Sequence, residues 1–272
     1  MTESNESQAV DRELLDTVID IAREAGRAIL EVYGTDFAVD EKADDSPITE
    51  ADRRANAIIT RRLAALPLRL PVLSEESRQA PWEERRSWAR LWIVDPLDGT
   101  KEFIGRNGQF TVNIALAEDH APRLGVVHVP VTGVTYAGIV GQGAWKHEAG
   151  DEGRAIRVRP LGDGPVKVVA SRSHRGPDLD GYLERLGPHE TVSMGSSLKF
   201  CLVAEGQADV YPRLGPTSEW DTAAAQAVLE AAGGRVTATD GQRLRYNKGP
   251  NVLNGWFIAY ADDARDWSAY LP

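Results

Sequence analysis

Apolar residues recur at three- and four-residue steps through Leu14, Val18, Ile21, Ala25, Ile29 and Val32, a spacing that predicts an amphipathic helix over roughly 9–33, ending near Gly34. The polar stretch 34–48 then reads as a loop. Thr49 stands three residues before Asp52, as in a capping box, and Ala55, Ile58, Ile59 and Leu63 continue one apolar face to a stop at Pro67. Two helices are therefore expected before the first strand. At 91–94 the period changes: LWIV reads as a short buried strand, and FTVNIALA, RLGVVHVP and GVTYAGIV alternate as three further strands, antiparallel and joined by turns. Between about 148 and 165 the run EAGDEGRAIRVRPLGDGP is rich in charge, Gly and Pro and marks the expected boundary between two subdomains, 1–160 and 161–272. Beyond it come KVVAS as a strand, a helix around 178–186, TVSM as a strand and a helix over about 197–204. ADVYP follows as a strand, then a helix over about 220–232 that stops at Gly233-Gly234. The first half reads as α+β, the second as alternating α/β.

Composition narrows the function classes. The chain has 272 residues, 42% of them hydrophobic and 26% charged, enough for a sizeable core in one large domain or two small ones. Its 31 Lys and Arg against 41 Asp and Glu leave a net charge of −10, which disfavours nucleic acid and anionic lipid surfaces as partners. One cysteine, Cys201, excludes an intramolecular disulfide framework and multi-cysteine metal sites, and within KFCLV it reads as a small packed hydrophobe. No run reaches the ~18 apolar residues of a spanning helix, and MTESNESQAVDRELLD has no signal-peptide pattern. A cytoplasmic protein is expected, at most peripheral at the inner membrane face. Walker A, G-x-G-x-x-G, H-E-x-x-H and G-x-S-x-G motifs are all absent.

What remains is acidic. Asp95-Pro96-Leu97-Asp98-Gly99-Thr100 follows the LWIV strand, where ligands gather beyond strand ends. Pro96 holds Asp95 away from helical geometry, and Gly99 allows a close backbone approach. Glu75 and Glu76 follow the apolar run Pro71-Val72-Leu73, and Asp221 opens the helix of EWDTAAAQAVLE. Each has an ordinary reading when taken alone: Asp98-Gly99 as a turn, Glu75-Glu76 as a solvated patch, Asp221 and Asp52 as first-turn helix acids. Two carboxylates ~4 Å apart repel by roughly 4 kcal/mol at an effective dielectric of ~20, so a shared cleft would need cations. Oxygen-only ligation points to a hard ion such as Mg²⁺, and a pair of such ions suits phosphate-ester hydrolysis.

Taken together, VLSEES, WIVDPLDGTKEF and WDTAAAQAVLEAAGG resemble the lithium-sensitive, magnesium-dependent phosphatase superfamily that includes inositol monophosphatase, over nearly the whole chain. DGTKEF, SRSH and GSSLKFCLVAEGQAD resemble its bisphosphate nucleotidase branch more narrowly. The resemblance implies an α+β fold, a two-subdomain αβαβα layered sandwich of the inositol monophosphatase and fructose-1,6-bisphosphatase type. It implies two or three Mg²⁺ ions on Glu75, Asp95, the Leu97 carbonyl, Asp98 and Asp221, with Asp95 shared between ions. Asp52 and Thr100 would activate the attacking water, and the N–H groups of Gly99 and Thr100 would meet the phosphate. Ser171 and His174 of SRSH, with Gly195, Ser196 and Lys199 of MGSSLKF, would face the nucleotide, Lys199 as partner of a second phosphate. Without the resemblance, Thr100 is a loop hydroxyl, His174 a surface histidine, Gly195-Ser196 a helix-entry turn and Lys199 a solvated lysine.

The expected activity is a phosphoric monoester hydrolase acting on the 3'-phosphate of adenosine 3',5'-bisphosphate, in sulfate assimilation. Its preference over the phosphosulfate nucleotide and its oligomeric state are left open. Two rivals stand beside it. One is an inositol or broad sugar phosphatase with the same metal site; the other is a noncatalytic nucleotide-binding regulator.

Overall fold

The Asp11 side chain accepts a hydrogen bond from Leu14 N at 2.9 Å and so caps helix α1 (Arg12–Tyr33), which buries the periodic face Leu15, Val18, Ile21, Ala25 and Ile29. The structure is a computed structural model and describes residues 9–41, 47–148, 151–171 and 176–272. After α1 come β1 (Val39–Glu41), β2 (Pro47–Thr49), α2 (Glu50–Ala64), β3 (Val72–Ser74), the short α3 (Trp82–Arg85), β4 (Arg90–Asp98) and the five-residue α4 (Thr100–Ile104). A meander follows: β5 (Thr111–Glu118), β6 (Ala121–His128), β7 (Thr135–Ile139), β8 (Gly143–His147) and β9 (Arg154–Ile156). The remainder is β10 (Val166–Ser171), α5 (Pro177–Leu186), β11 (His189–Met194), α6 (Leu198–Ala204), β12 (Val210–Arg213), β13 (Thr217–Ser218), α7 (Glu219–Ala231), β14 (Arg235–Ala238), β15 (Leu253–Asn254), β16 (Phe257–Tyr260) and a 3₁₀ turn (Trp267–Tyr270).

Three cores stack these elements into five layers. Strands β3 to β9 form one seven-stranded sheet in sequence order, and β11-β10-β12-β16-β14 form a second of five strands. Helices α1 and α2 cover one face of the first sheet around Trp92, Val94, Ile114 and Val126. Its other face, Leu91, Ile93 and Ala115, packs with α6, α7 and the second sheet. Helix α5 and the 3₁₀ turn cover that sheet's outer face around Val168, Val210 and Ile258. This α-β-α-β-α order is the layered α+β sandwich expected from the sequence. LWIV is apolar at every position because Trp92 and Val94 enter one core while Leu91 and Ile93 enter the other.

Two readings change, and one further stretch gains a strand. The stretch 34–48 is not all loop, since β1 and β2 pair antiparallel, Val39 opposite Thr49. Two helices alone do not precede the first strand: β1, β2 and β3 come before β4, each too short at three residues to show an alternation. The charged run 148–165 carries β9, which pairs with β8 as the edge strand of the first sheet. No described helix is long and apolar enough to cross a membrane.

Helix α7 lies between the sheets because two glycines let it in. A Cβ at Gly125 of β6 would overlap the Ala224 carbonyl oxygen, and one at Gly138 of β7 would come within 2.8 Å of the Ala231 methyl. Gly125→Ala is expected to destabilise the protein by about 1–3 kcal/mol through overpacking, read from denaturant unfolding. An unchanged midpoint would show that the helix can shift freely.

Candidate metal centre and active site

Pro96 has no N–H to give to the sheet, and the ladder between β4 and β5 slips where it stands: Asp95 pairs with Asn113, but Asp98 pairs with Thr111. Three steps on β4 thus match two on β5, a bulge. In a regular strand Asp95 and Asp98 would point to opposite faces; the extra residue turns Asp98 back to the face of Asp95. Asp95 Oδ1 accepts from Leu97 N at 3.0 Å, which locks the bulge. Gly99, at φ +93°, ends the strand in a conformation other residues avoid, and α4 starts at Thr100.

The third carboxylate arrives on α7. Ser218 N-caps that helix, and Asp221 Oδ2 accepts back from Ser218 N at 2.8 Å, completing a capping box. Below it Glu219 is buried, accepting from Asn247 N at 2.7 Å, while Arg85 Nη1 donates to Asn247 Oδ1 at 2.8 Å. One oxygen from each of Asp95, Asp98 and Asp221 lies within 4.8 Å of the others. Glu75 lines the same cavity, of about 310 Å³, as do Leu97, Gly99, Thr100, Gly195, Ser196 and Lys199. Its backbone N–H bonds Val94 O at 3.2 Å, which fixes it to the side of β4.

The electrostatics are those of a site short of positive charge. Burial raises the Asp95 carboxyl well above the usual carboxylate range, and the charges of Glu75, Asp98 and Asp221 push the same way. Burial and then Asp98 lift Asp221 to about 8. Asp98 is raised by burial as well, against the pull of Lys199. Ser197 N, at 2.6 Å, and more distantly Thr111 and Asn113 converge on its Oδ2 and orient it. Lys199 is 7% exposed, and burial brings its ammonium down to about 8 despite Asp98. Buried carboxylates that repel one another this strongly and offer only oxygen suit a hard divalent cation.

Asp52 and Thr100, distant in sequence, meet beside this cluster. Asp52 sits in the capping box of α2, where its Oδ2 accepts from Thr49 N at 2.8 Å and from Thr49 Oγ1 at 2.7 Å. Its other oxygen, Oδ1, accepts from Thr100 Oγ1 at 3.5 Å. Burial raises the Asp52 carboxyl, opposed by the Thr49 bonds.

The nucleotide-side residues divide. Gly195, Ser196 and Lys199 line the cavity, with Gly195 N donating to Gln109 Oε1 at 3.1 Å and Ser196 at φ +42°. Ser171 ends β10, but its side chain and the whole of His174 lie outside the described residues. Sequence reasoning missed Tyr211, Arg213 and Thr217, which also line the cavity. Arg213 closes the apolar run ADVYP with a charge, the same transition that singled out Glu75 after VLS.

Comparison with known proteins follows this geometry. The sequence model of the inositol monophosphatase family matches residues 11–265. The 3'(2'),5'-bisphosphate nucleotidase CysQ of Escherichia coli K12 is 52% identical over 246 residues, 90% of this chain and 98% of the relative. That of Buchnera aphidicola is 42% identical over 92% of this chain and 94% of the relative. The crystal structure of CysQ from Bacteroides thetaiotaomicron, 44% identical, superposes with a TM-score of 0.81 over 93% of this chain and 98% of its own.

Proposed function

This chain belongs to the inositol monophosphatase family, and we propose, on that premise, that it is a Mg²⁺-dependent 3'(2'),5'-bisphosphate nucleotidase hydrolysing adenosine 3',5'-bisphosphate to AMP and phosphate in sulfate assimilation. The observation that carries the chemistry is the convergence of Asp95, Asp98 and Asp221 in one cavity beside the Asp52–Thr100 pair. The substrate class is carried by the nucleotidase relatives, one of them 52% identical over 90% of this chain.

Glu75, Asp95, the Leu97 carbonyl, Asp98 and Asp221 would hold two or three Mg²⁺ ions. When bound, such ions lower the pKa of water and take up charge on the phosphate oxygens. The rest belongs to side chains and backbone. Thr100 points its proton at Asp52 Oδ1, so its lone pairs are turned to a water and orient it for attack. The water's proton passes toward Thr100 as that hydroxyl's own proton moves to Asp52, the water oxygen bonds to phosphorus while the P–O3' bond breaks, and the departing 3'-oxygen takes a proton from solvent. Because Asp52 Oδ2 is held by Thr49, Oδ1 is the oxygen that receives it. Water is the nucleophile throughout, and no covalent phosphoenzyme forms. The N–H groups of Gly99 and Thr100 at the start of α4 meet the reacting phosphate, and Gly195, Ser196 and Lys199 face the nucleotide.

Phosphate release from adenosine 3',5'-bisphosphate and from inositol 1-phosphate, assayed side by side with Mg²⁺, tests this reading. The nucleotide is expected to be preferred by at least about tenfold in kcat/KM, with activity abolished by a chelator and weakened by Li⁺. Preference for inositol phosphate would keep the acidic centre and overturn the substrate. Nucleotide binding without phosphate release would make the protein a regulator.

A further inference from the structure

The carboxylates of the metal centre come from separate elements. Asp95 and Asp98 are fixed by the ladder between β4 and β5, and Glu75 is tied to the side of β4. Asp221 arrives on α7, whose first turns are buried largely through the alanines 223, 224, 225 and 227. An alanine methyl makes few contacts, so such a face only weakly resists rotation about the helix axis. Carboxylates that repel one another add a force that turns Asp221 away from its partners. The direction in which Asp221 points therefore needs a hold of its own.

That hold lies two residues earlier, at Glu219. Glu219 is 1% exposed and is not among the described residues that line the cavity. Its N–H donates to Val252 O at 2.8 Å, and its Oε2 accepts from Asn247 N at 2.7 Å, so the loop that follows β14 grips the start of α7 twice. Asn247 is buried at φ +47°, a left-handed conformation that asparagine tolerates better than most residues and that persists only where the surroundings enforce it. Arg85 enforces it. Its Nη1 donates to Asn247 Oδ1 at 2.8 Å, and Asn247 Nδ2 donates back to Arg85 O at 2.7 Å. The other donors of this buried guanidinium go to Ala80 O and to Pro250 O, each at 3.0 Å. Ala80 and Arg85 belong to the segment that leaves Glu75, so one chain of bonds runs from that segment through Asn247 to the first turn of α7. Burying Arg85 and Glu219 costs desolvation that an apolar contact would avoid, and Glu219 Oε1 is left without a partner, so stability alone does not account for the pair.

We propose that Glu219 is a positioning residue for the metal centre: gripped by Asn247 and Arg85, it ties the first turn of α7 to the segment that carries Glu75 and so sets where Asp221 meets the carboxylates of β4. This rests on the metal-dependent reading above and not on the choice of nucleotide. Glu219 acts through the hydrogen bond it accepts, so an amide of the same shape should serve nearly as well as the carboxylate.

The test uses Mn²⁺ as a spectroscopic probe for the same oxygen ligands, its binding to the substrate-free protein followed by electron paramagnetic resonance, beside the Mg²⁺ dependence of phosphate release and a denaturant unfolding curve. In Glu219→Ala the Kd for Mn²⁺ and the Mg²⁺ concentration for half-maximal turnover are both expected to rise about tenfold, the scale of a lost partner behind a metal ligand. KM for the nucleotide at saturating Mg²⁺ should stay within about twofold. Glu219→Gln should lie within about threefold of wild type on both metal readouts, because its amide oxygen still accepts from Asn247 N. A lower unfolding midpoint with unchanged metal affinity would make the role structural and overturn the proposal. Glu219→Gln as impaired as Glu219→Ala would overturn it too, since the charge and not the hydrogen bond would then matter. If Glu219→Ala does not fold, Asn247→Gly decides: it keeps the backbone N–H and the left-handed turn but cuts the link to Arg85, and wild-type metal affinity there refutes the proposal. A wild type that binds no Mn²⁺ would instead overturn the metal-centre reading, whatever Glu219 does.

Discussion

Asp95→Asn is expected to cut phosphate release on the order of a thousandfold while raising the melting temperature of the metal-free protein by roughly 2–4 °C. The two effects have one cause. Asp95 is 1% exposed and faces the charges of Glu75, Asp98 and Asp221, so its own charge is tolerable only when a cation shares the site. An amide is nearly the same size, and its oxygen can still accept from Leu97 N, so the bulge survives. What disappears is a ligand charge and, without metal, a repulsion of several kcal/mol in principle and less after relaxation. Turnover and chelator-treated melting curves on the same preparation check this. Near-parental turnover would remove Asp95 from the metal centre; a lower metal-free melting temperature would show that the carboxylate holds structure rather than strain.

The same trade explains which parts of the molecule could be read in advance. The helices were readable because α1 repeats an apolar face and stops at Gly34, and α7 stops at Gly233-Gly234. Strand β4 was readable because each side of it enters a different core, which leaves four apolar residues in a row. The three-residue strands β1, β3 and β9 were not, since pairing rather than alternation defines them. Strand β4 also runs on through Asp98, past the apolar run that marked it. The candidate acids were visible as residues, but their convergence was not. It depends on a one-residue slip at Pro96 and on α7 fitting against Gly125 and Gly138, and neither is a property of a single segment. The family resemblance supplied that convergence before any geometry could.

Two capping boxes also do double duty, and this could not be read from spacing alone. Thr49–Asp52 and Ser218–Asp221 satisfy helix-end N–H groups with one carboxylate oxygen and leave the other for chemistry. Each carboxylate is thereby held by backbone, whose position the helix fixes, rather than by a mobile side chain. Arg213 escaped notice for the opposite reason. It sits at the end of a strand, and only the fold brings it to the cavity.

Removing the metal should reverse the way stability depends on pH, and this is the second large effect. Burial and then Asp98 lift Asp221 to about 8 in the fold, far above an ordinary carboxyl, and Asp95 and Asp98 are raised in the same direction. The native state then holds protons that the unfolded chain has released, so metal-free stability falls as pH rises between the unfolded and folded values. His128, lowered by burial to about 4, acts with the opposite sign, but only up to its unfolded value near 6.5. The window is therefore pH 6.5–8; Lys199, brought down to about 8, opposes the slope only toward its upper end, and the chelated protein is expected to lose on the order of 1 kcal/mol, or roughly 2–4 °C in melting temperature. Glu219, at about 7, contributes with the same sign but lies outside the three-carboxylate cluster, so Mg²⁺ separates the two. Because the cation binds the deprotonated carboxylates, millimolar Mg²⁺ should stabilise more at pH 8 than at pH 6.5 and flatten or invert the slope. Melting curves across that window, with chelator and with Mg²⁺, measure both slopes. A chelated protein whose melting temperature is flat or climbs toward pH 8 would mean that the three carboxylates are not a repelling cluster, and the metal centre would have to be sought elsewhere in the fold.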